Sequence, residues 1–336
     1  MLFLLLGKAK LARLPLLGSR SPRYTLQMPS RKVARNPRRL RITEERNAAS
    51  KNLDRMSSLE IIRLMNLEDR KVAPAVGRTA AAIARAIDEI VARMTVGGRL
   101  IYVGAGSSGR IGVLDASECP PTFGVSPDLV RALIAGGKKA VRQSVEGAED
   151  RPGDGARDLR KIRLSKLDSV VGIAASGTTP YVLGAIAFAK RRGALTIGLA
   201  ANRRSPLATS ATIAIAPEVG PEILAGSTRL KAGTSQKMVL NMLSTAVMVR
   251  LGHAYDNLMI DMGEANEKLR ERAKWILKEA SDSDVSAVTR ALRQSGHDLR
   301  LALIMLKRGV SAKQARKILL ESRGNLRRAL GERPSH

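Results

Sequence analysis

The sequence contains few cysteine, histidine and aromatic residues, and each shortage excludes something. Cys119 is the only cysteine among 336 residues, so no disulfide can form within the chain and a reducing compartment is indicated. The three histidines, His253, His297 and His336, do not have the spacing of metal ligands. Aromatic residues make up 2% of the chain, so its cores must consist of aliphatic side chains. We therefore expect no metal and no other cofactor.

Long apolar runs and, in one segment, acidic residues are also absent. Residues 2–6 are apolar, but this run is too short for a signal-peptide core or a membrane span, so no membrane association is expected. Residues 1–41 contain eleven Lys and Arg and no Asp or Glu. Such a segment can mimic an organellar transit peptide, but we favour a start codon assigned too early, with translation beginning at Met28. In either case we expect residues 1–42 to be disordered.

Positive charge dominates the whole chain, which has a formal net charge of +28 at pH 7. A basic protein attracts anions, including phosphorylated sugars and nucleic acids. The scarcity of aromatic side chains for base stacking, together with the lack of a nucleic-acid-binding motif, argues against nucleic acid as the partner. Hydrophobic residues make up 44% of the chain, so it can form a substantial core and is not disordered throughout.

The order of helices and strands predicts an α/β fold. Ser57 and Glu60 form a capping box at the start of a helix, and a second helix is expected over residues 73–95. Short apolar strands then alternate with helices, which predicts a doubly wound parallel sheet covered by helices on both faces. The candidate strands are residues 100–103, 131–135, 169–174, 195–199 and 211–215.

The second half of the chain is predicted to end in helices. Residues 181–192 and 234–251 have helical patterns, and from residue 264 onward only helices are expected. Ser283, Asp298 and Ser311 are the candidate N-caps in this C-terminal part. No internal repeat or low-complexity segment interrupts it.

Residues 104–109 fit the pattern G-x-G-x-x-G directly after a predicted strand. Such a loop can hold a dinucleotide pyrophosphate at a helix N-terminus. A dinucleotide site also needs an acidic residue at the end of the next strand, but Asp128 precedes that strand instead. The hydroxyls of Ser107 and Ser108 suit a single phosphate. We therefore interpret Gly106, Ser107, Ser108 and the following Arg110 as candidate binding residues for a phosphosugar.

Two further loops carry hydroxyl groups. Ser176, Thr178 and Thr179 follow a predicted strand and precede a helix, where ordinary N-capping is the simpler alternative to phosphate binding. The occurrence of two such loops in one α/β domain favours binding. Ser227 and Lys231 belong to a basic turn before the long helix at residues 234–251. Two roles are about equally supported for this turn, contact with substrate and a solvated loop.

Two acidic segments lie between the hydroxyl-rich loops. Residues 115–123 contain Glu118, and residues 146–150 contain Glu149, in each case beside small residues and turn-formers. Two carboxyl groups that face one cavity can act as general acid and general base. Cys119 beside Glu118 could be a nucleophile, but a small buried residue in a tight loop is the favoured interpretation. Asp115 is expected to stabilise this loop.

These segments together resemble the N-acetylmuramic acid 6-phosphate etherases, a family of the sugar isomerase (SIS) superfamily. The resemblance runs from about residue 43 to residue 330. It is carried by residues 104–110, 115–123, 146–150, 174–181, 226–233 and 241–245.

The resemblance implies an SIS catalytic domain with N-terminal helices over residues 43–263 and a helical module over 264–330, whose end resembles a ubiquitin-associated domain. It also implies a homodimer in the bacterial cytoplasm that acts on N-acetylmuramic acid 6-phosphate, with Glu118 as acid and Glu149 as its partner. Our hypothesis is that Glu149 is the base. The family usually has arginine at position 178, where this chain has Thr178, and threonine at position 107, where it has Ser107.

Three other functions remain open at this stage. An SIS protein can sense a sugar phosphate without converting it, and an aldose–ketose isomerase would need a carboxylate base but not both acidic motifs. A nucleic-acid-binding regulator would use the basic N-terminus, but residues 1–42 lack the apolar periodicity of a helix-turn-helix. Turnover of a phosphosugar would separate enzyme from sensor, and the released product would separate the two enzymes.

Overall fold

The computed structural model describes residues 42–262, 267–322 and 324–332. The predicted disordered extension at residues 1–42 lies outside these ranges except for Ile42, which begins a short 3-10 helix. Five parallel strands form one sheet in the order β2-β1-β3-β4-β5. They are β1 Leu100–Gly104, β2 Val130–Ile134, β3 Ser169–Ile173, β4 Leu195–Leu199 and β5 Ile213–Ile215.

Helices occupy most of the remaining described residues. Three 3-10 helices come first, at Ile42–Glu44, Ala48–Ser50 and Leu53–Arg55. The α-helices before the last strand are α1 Ser58–Asp69, α2 Val72–Gly77, α3 Ala80–Met94, α4 Gly106–Phe123, α5 Gly137–Arg142, α6 Pro152–Lys161, α7 Pro180–Arg191 and α8 Pro206–Ser210. Those after it are α9 Lys231–Leu251, α10 Glu267–Ser281, α11 Val285–Ser295, α12 Leu299–Arg308, α13 Ala312–Glu321 and α14 Leu326–Ala329.

Alternation along the strands divides the core into two layers, one on each side of the sheet. In β1, Leu100 and Tyr102 point into the core formed with α2, α3, α4 and α9. Ile101 and Val103 point into the core formed with α6 and α7. Since successive strand residues face opposite sides, a strand buried on both sides must be apolar throughout, as β1 is. The predicted doubly wound α/β fold is confirmed.

Two predicted helix boundaries are wrong. The helix predicted over residues 73–95 is two helices, because α2 ends at Gly77 and α3 begins at Ala80. The Thr79 hydroxyl donates to the Val76 carbonyl at 2.7 Å and closes the turn between them. The N-cap of α11 is Asp284 rather than Ser283, since the Asp284 carboxylate accepts the Ala287 N–H at 2.8 Å. The predicted capping box at Ser57 is present.

The segment at residues 115–123 is helical, which corrects its prediction as a loop. It forms the second half of α4, with Pro120 and Pro121 in the last turn. These prolines have no N–H to donate to the preceding turn, so α4 lacks two of its backbone hydrogen bonds there. It ends at Gly124, whose φ of 62° is left-handed.

The C-terminal helices surround a hydrophobic cluster of their own. Its buried residues run from Tyr255 to Ala329 and come from α10 to α14 and the segment before them. Asp298 and Ser311 are N-caps as predicted. The boundary at residue 263 stays a prediction, because residues 263–266 are outside the described ranges. No helix in the described part of the chain is long and apolar enough to cross a membrane.

Candidate active site

The strand order places a crevice between β1 and β3. β1 is followed along the chain by β2 on one side, and β3 is followed by β4 on the other side. The connections therefore diverge at the carboxyl ends of β1 and β3, where doubly wound sheets bind their ligands. Residue 105 and residues 174–179 form the two loops at this position.

The glycine-rich loop brings the N-terminus of α4 to this crevice. Gly106 has a φ of 52°, a left-handed conformation that favours glycine. A Cβ on Gly104 would lie 2.7 Å from the Gly109 nitrogen, so the glycines let α4 pack closely on β1. Ala105 occupies the N-cap position and has no side-chain cap to offer. The N–H groups of the first turn are therefore free of a side-chain cap and suited to an anion.

The second loop brings the N-terminus of α7 to the same place. The hydroxyls of Ser176 and Thr178 lie 2.9 Å apart, and the Thr178 N–H donates to Ser176 Oγ at 3.3 Å. Thr179 is the N-cap residue of α7, but its side chain makes no capping hydrogen bond. Simple N-capping therefore does not account for Thr179.

A cavity of about 460 Å³ opens between these two helix N-termini. Its hydroxyl groups come from Ser107, Ser108, Ser176, Thr178, Thr179 and Thr228, and its carboxyl groups come from Glu44, Glu149 and Asp150. Within the described ranges no lysine or arginine lines this cavity. An anion bound there would be held by hydroxyl and backbone N–H groups rather than by a cation.

Glu149 is fixed at the cavity through its backbone. The Tyr181 N–H in the first turn of α7 donates to the Glu149 carbonyl at 2.9 Å. The Tyr181 side chain is fully buried, and its hydroxyl donates to Asp158 of α6 at 3.0 Å. Burial first, and then the charge of Asp158, raise the pKa of the Tyr181 hydroxyl, which stays protonated. The position of Glu149 is therefore set by the packing of α6 against α7.

Glu118 does not lie at this cavity. It is exposed on α4, and its separation from Gly106 by twelve positions corresponds to about 18 Å along the helix axis. Glu118 is not among the cavity-lining residues. Within one chain, the structure does not bring the two predicted catalytic glutamates together.

Asp115 has a structural role one turn before Glu118. It accepts hydrogen bonds from the Tyr102 hydroxyl and Asn241 Nδ2, both at 2.7 Å, and from the Ser244 hydroxyl at 3.1 Å. These bonds join α4 to β1 and α9. Burial first, and then the Asp115 charge, raise the pKa of Cys119 to about 12. The thiol is therefore protonated at neutral pH, which agrees with a packing role rather than a nucleophilic one.

The prediction that Lys231 contacts substrate needs correction. Its side chain is 2% exposed and forms an ion pair with Glu68 of α1. The N-terminus of α9, which Lys231 begins, is already capped, because the Glu222 carboxylate accepts the backbone N–H groups of Lys231 and Ala232. Neither the ammonium group nor this helix N-terminus is available to a substrate.

Two other candidates lie next to the cavity rather than in it. Ser227 falls between Gly226 and Thr228, which do line the cavity. Arg110 lines a neighbouring cavity of about 350 Å³ that also includes Glu149 and Asp150, and its Nε donates to the Val141 carbonyl at 3.0 Å.

Sequence reasoning missed three polar residues of the cavity, Glu44, Asp150 and Thr228. Thr228 could have been found, because it belongs to the hydroxyl-bearing turn that contains Ser227. Glu44 gave no local signal. It lies before the first α-helix, about a hundred residues from Glu149 along the chain, and only the tertiary fold places both in one cavity.

The parallel sheet and its hydroxyl-lined crevice define this chain as an SIS-domain protein. A family model for the SIS domain matches residues 151–246, and one for the glucokinase regulatory protein N-terminal SIS domain matches residues 82–190. A phosphoheptose isomerase from Francisella tularensis is similar in structure, with a TM-score of 0.45 and 22% identity over 58% of this chain and all of that one.

Sequence similarity then identifies the family. An N-acetylmuramic acid 6-phosphate etherase from Halalkalibacterium halodurans is 52% identical over 86% of this chain and 97% of its own length. Another from Caldanaerobacter subterraneus is 50% identical over 86% of this chain and 94% of its own length. The chain belongs to the N-acetylmuramic acid 6-phosphate etherase family, whose members are carbon–oxygen lyases.

Proposed function

We propose that this chain cleaves the lactyl ether of N-acetylmuramic acid 6-phosphate with water to give N-acetylglucosamine 6-phosphate and D-lactate. The observation that carries the proposal is the cavity between α4 and α7, where two helix N-termini and several hydroxyls lie beside the carboxyl group of Glu149. Family membership supports the choice of substrate, and the cavity supports the phosphosugar class.

The phosphate belongs at the hydroxyl-rich end of the cavity. First-turn N–H groups of α4 and the hydroxyls of Ser107, Ser108 and Ser176 supply donors to its oxygens. Binding energy from this remote group positions the reacting carbons of the sugar.

The reaction begins once the sugar has opened to its aldehyde, because the C2 proton is then acidic. Glu149 takes that proton as general base, and a carboxylic acid protonates the departing lactate oxygen. Water then adds across the C2–C3 double bond, with its hydroxyl bonding to C3 and a proton returning to C2. Each of the two proton transfers contributes about 10²- to 10⁴-fold to the rate.

Glu118 lies outside the cavity of its own chain, so it can supply the acid only to the cavity of a second copy. We propose that Glu118 of a second copy supplies it, within a homodimer in the bacterial cytoplasm. Leu114 on α4 and Met242 on α9 are 50% and 41% exposed, and they give the helix pair that carries Glu118 an apolar surface.

Helix α1 supports the proposed dimer independently. Leu59, Ile62 and Leu67 are each more than half exposed, and only Glu68 of this helix is buried. An amphipathic helix of 12 residues is marginal in water unless its apolar side packs against something. A second copy that covers α1 would provide this packing.

The decisive experiment measures D-lactate release from N-acetylmuramic acid 6-phosphate by the wild type and by Glu149→Gln, Glu118→Gln and the surface control Glu279→Gln. We expect loss of activity in the first two variants and wild-type activity in the control. Binding of the substrate without lactate release by the wild type would contradict the proposal and indicate a sensor. Release of an isomerised sugar phosphate would indicate an isomerase.

Mixing the two inactive variants tests the shared site. A heterodimer of Glu118→Gln and Glu149→Gln chains would contain one intact site if Glu118 acts across the interface. Random exchange of subunits would then restore about a quarter of wild-type activity. No recovery after verified subunit exchange would contradict a role for Glu118 in the second copy's cavity.

A further inference from the structure

Glu44 is an acidic residue of the cavity to which no role has been given. It ends the first 3-10 helix, and Thr43 before it is 2% exposed. The Gly226 N–H donates to the Thr43 carbonyl at 3.1 Å. This bond fastens the backbone next to Glu44 to the loop at residues 226–228, which forms one wall of the cavity.

The chain is also fastened on the other side of Glu44. Asn47 Nδ2 donates to the buried Glu68 carboxylate at 2.9 Å and to the Pro221 carbonyl at 3.2 Å. Glu44 therefore lies between two anchored residues, and its place at the cavity is set by the fold rather than by a free chain end.

The Glu44 carboxylate has unused hydrogen-bonding capacity. In the described part of the chain its only hydrogen bond comes from the neighbouring Thr43 hydroxyl at 3.4 Å, and it forms no ion pair. An ionised carboxylate has about four acceptor positions. Nothing in this protein's described residues accounts for the others.

The charge of Glu44 indicates which part of a ligand it faces. A carboxylate repels a phosphate, so it cannot share the phosphate position at the N-termini of α4 and α7. It attracts hydroxyl and amide donors, which a sugar ring carries and inorganic phosphate lacks. Because no lysine or arginine among the described cavity residues offsets its charge, its natural partners are donors on the ligand.

We infer that Glu44 binds the sugar portion of the phosphosugar by accepting hydrogen bonds from its hydroxyl or amide groups. The residue thereby distinguishes a sugar phosphate from phosphate alone. The inference rests on the proposed function only for the identity of the sugar.

The test compares two probes, N-acetylglucosamine 6-phosphate and inorganic phosphate, by calorimetric titration of the full-length protein. Loss of hydrogen bonds to a charged acceptor predicts that Glu44→Ala weakens sugar phosphate binding about 10- to 100-fold. Glu44→Gln, which keeps an acceptor oxygen, should have a smaller effect. Phosphate binding should be unchanged or tighter in both variants. The neighbouring Glu45→Ala, which does not line the cavity, is the matched control and should bind both probes as the wild type does.

Three results would overturn the inference. Equal weakening of both probes by Glu44→Ala would show that Glu44 only supports the cavity wall. Unchanged binding of both probes would show that it does not touch the ligand. If the wild type binds the sugar phosphate no better than phosphate, the sugar portion adds nothing to binding, and Glu44 cannot contribute by binding it.

These results are separable from failure of the proposed reaction. If the wild type releases no lactate, the proposed reaction is contradicted. If Glu44→Ala also loses the wild type's preference for the sugar phosphate, the inference is still supported. Normal sugar phosphate binding by Glu44→Ala would contradict the inference whether or not lactate is released.

Discussion

The phosphate recognition proposed for this cavity would depend on hydroxyl and backbone donors, because its described lining contains no lysine or arginine. The sequence resemblance implies an arginine at position 178, where this chain has Thr178. Its hydroxyl is engaged with that of Ser176 at 2.9 Å, so the loop keeps its shape without the cation. The loss at this position is therefore one of charge and not of loop structure.

Restoring the cation should strengthen anion binding. In Thr178→Arg, a guanidinium group would add charge-assisted hydrogen bonds to the phosphate, and we expect the Kd for inorganic phosphate to fall about 10-fold. The gain should shrink as ionic strength rises, since salt screens the added charge. Calorimetric titration at low and high salt measures both effects.

Thr289→Arg provides the control for the added charge. Thr289 lies on α11 in the C-terminal helices, outside the cavity, and the substitution raises the net charge equally. Phosphate binding should not change in this variant. Equal tightening in both variants would mean that overall charge, and not the position of the arginine, governs phosphate affinity.

Single residues were predictable where a motif adjoins a strand end. Ser107, Ser108, Ser176 and Thr179 line the cavity because parallel strands place the loops after them at one edge of the sheet. Lys231 was misjudged because its burial depends on Glu68, 163 residues away along the chain. No local pattern contains that information.

Among the elements, α4 packs very closely against the sheet. A Cβ on Gly109 would lie 2.6 Å from Ile134 Cγ1 and 3.0 Å from the carbonyl carbon of Gly104. The contact with the β1 backbone cannot be relieved by turning a side chain. The spacing between α4 and the sheet, and with it the direction of the first-turn N–H groups, therefore depends on glycine at this position.

Gly109→Ala should displace the start of α4. Overpacking of a close contact costs about 1–3 kcal/mol of unfolding free energy, and we expect phosphate binding to weaken as the N–H groups move. Urea unfolding and phosphate titration measure the two effects. Gly153→Ala in α6, where a Cβ would meet nothing within 4 Å, should leave phosphate binding unchanged and should not lower stability, because alanine favours a helix more than glycine does. Normal phosphate binding by Gly109→Ala would show that α4 does not define the anion site.

Strands were easier to predict than helix ends. Each of the five predicted strands overlaps an observed strand, because a strand buried on both faces is a compact apolar run between turn residues. The break between α2 and α3 and the helical residues 115–123 were missed. Glycine and proline disfavour helices locally, and whether a helix tolerates them depends on packing that the sequence does not display.

At the scale of the whole molecule, one buried ion pair joins distant parts of the chain. Glu68 of α1 and Lys231 of α9 are each 2% exposed and form a hydrogen-bonded pair. Lys71 and Asn47 also bind the Glu68 carboxylate. Burial by itself would raise the pKa of Glu68, but the hydrogen bonds from Lys231, Lys71 and Asn47 lower it to about 2.

This pKa links the stability of the fold to acidic pH. An unfolded chain protonates Glu68 near its ordinary pKa of 4.5, whereas the folded protein protonates it only near pH 2. Between these values the unfolded state binds more protons, so unfolding becomes more favourable as pH falls. The ionised Glu68 therefore contributes its full stabilisation above about pH 5, loses about 1 kcal/mol of it by pH 3.5 and about 3 kcal/mol by pH 2.

Urea unfolding of the wild type and of the double variant Glu68→Gln/Lys231→Met from pH 7 to pH 3.5 tests this linkage. Replacing both charges avoids an unpaired buried ion, which would itself cost about 3–5 kcal/mol. The free energy of unfolding should fall about 1 kcal/mol less in the double variant than in the wild type over this range. Parallel pH profiles would mean that other carboxyl groups cause the acid sensitivity, and that the pair between α1 and α9 does not link folding to pH.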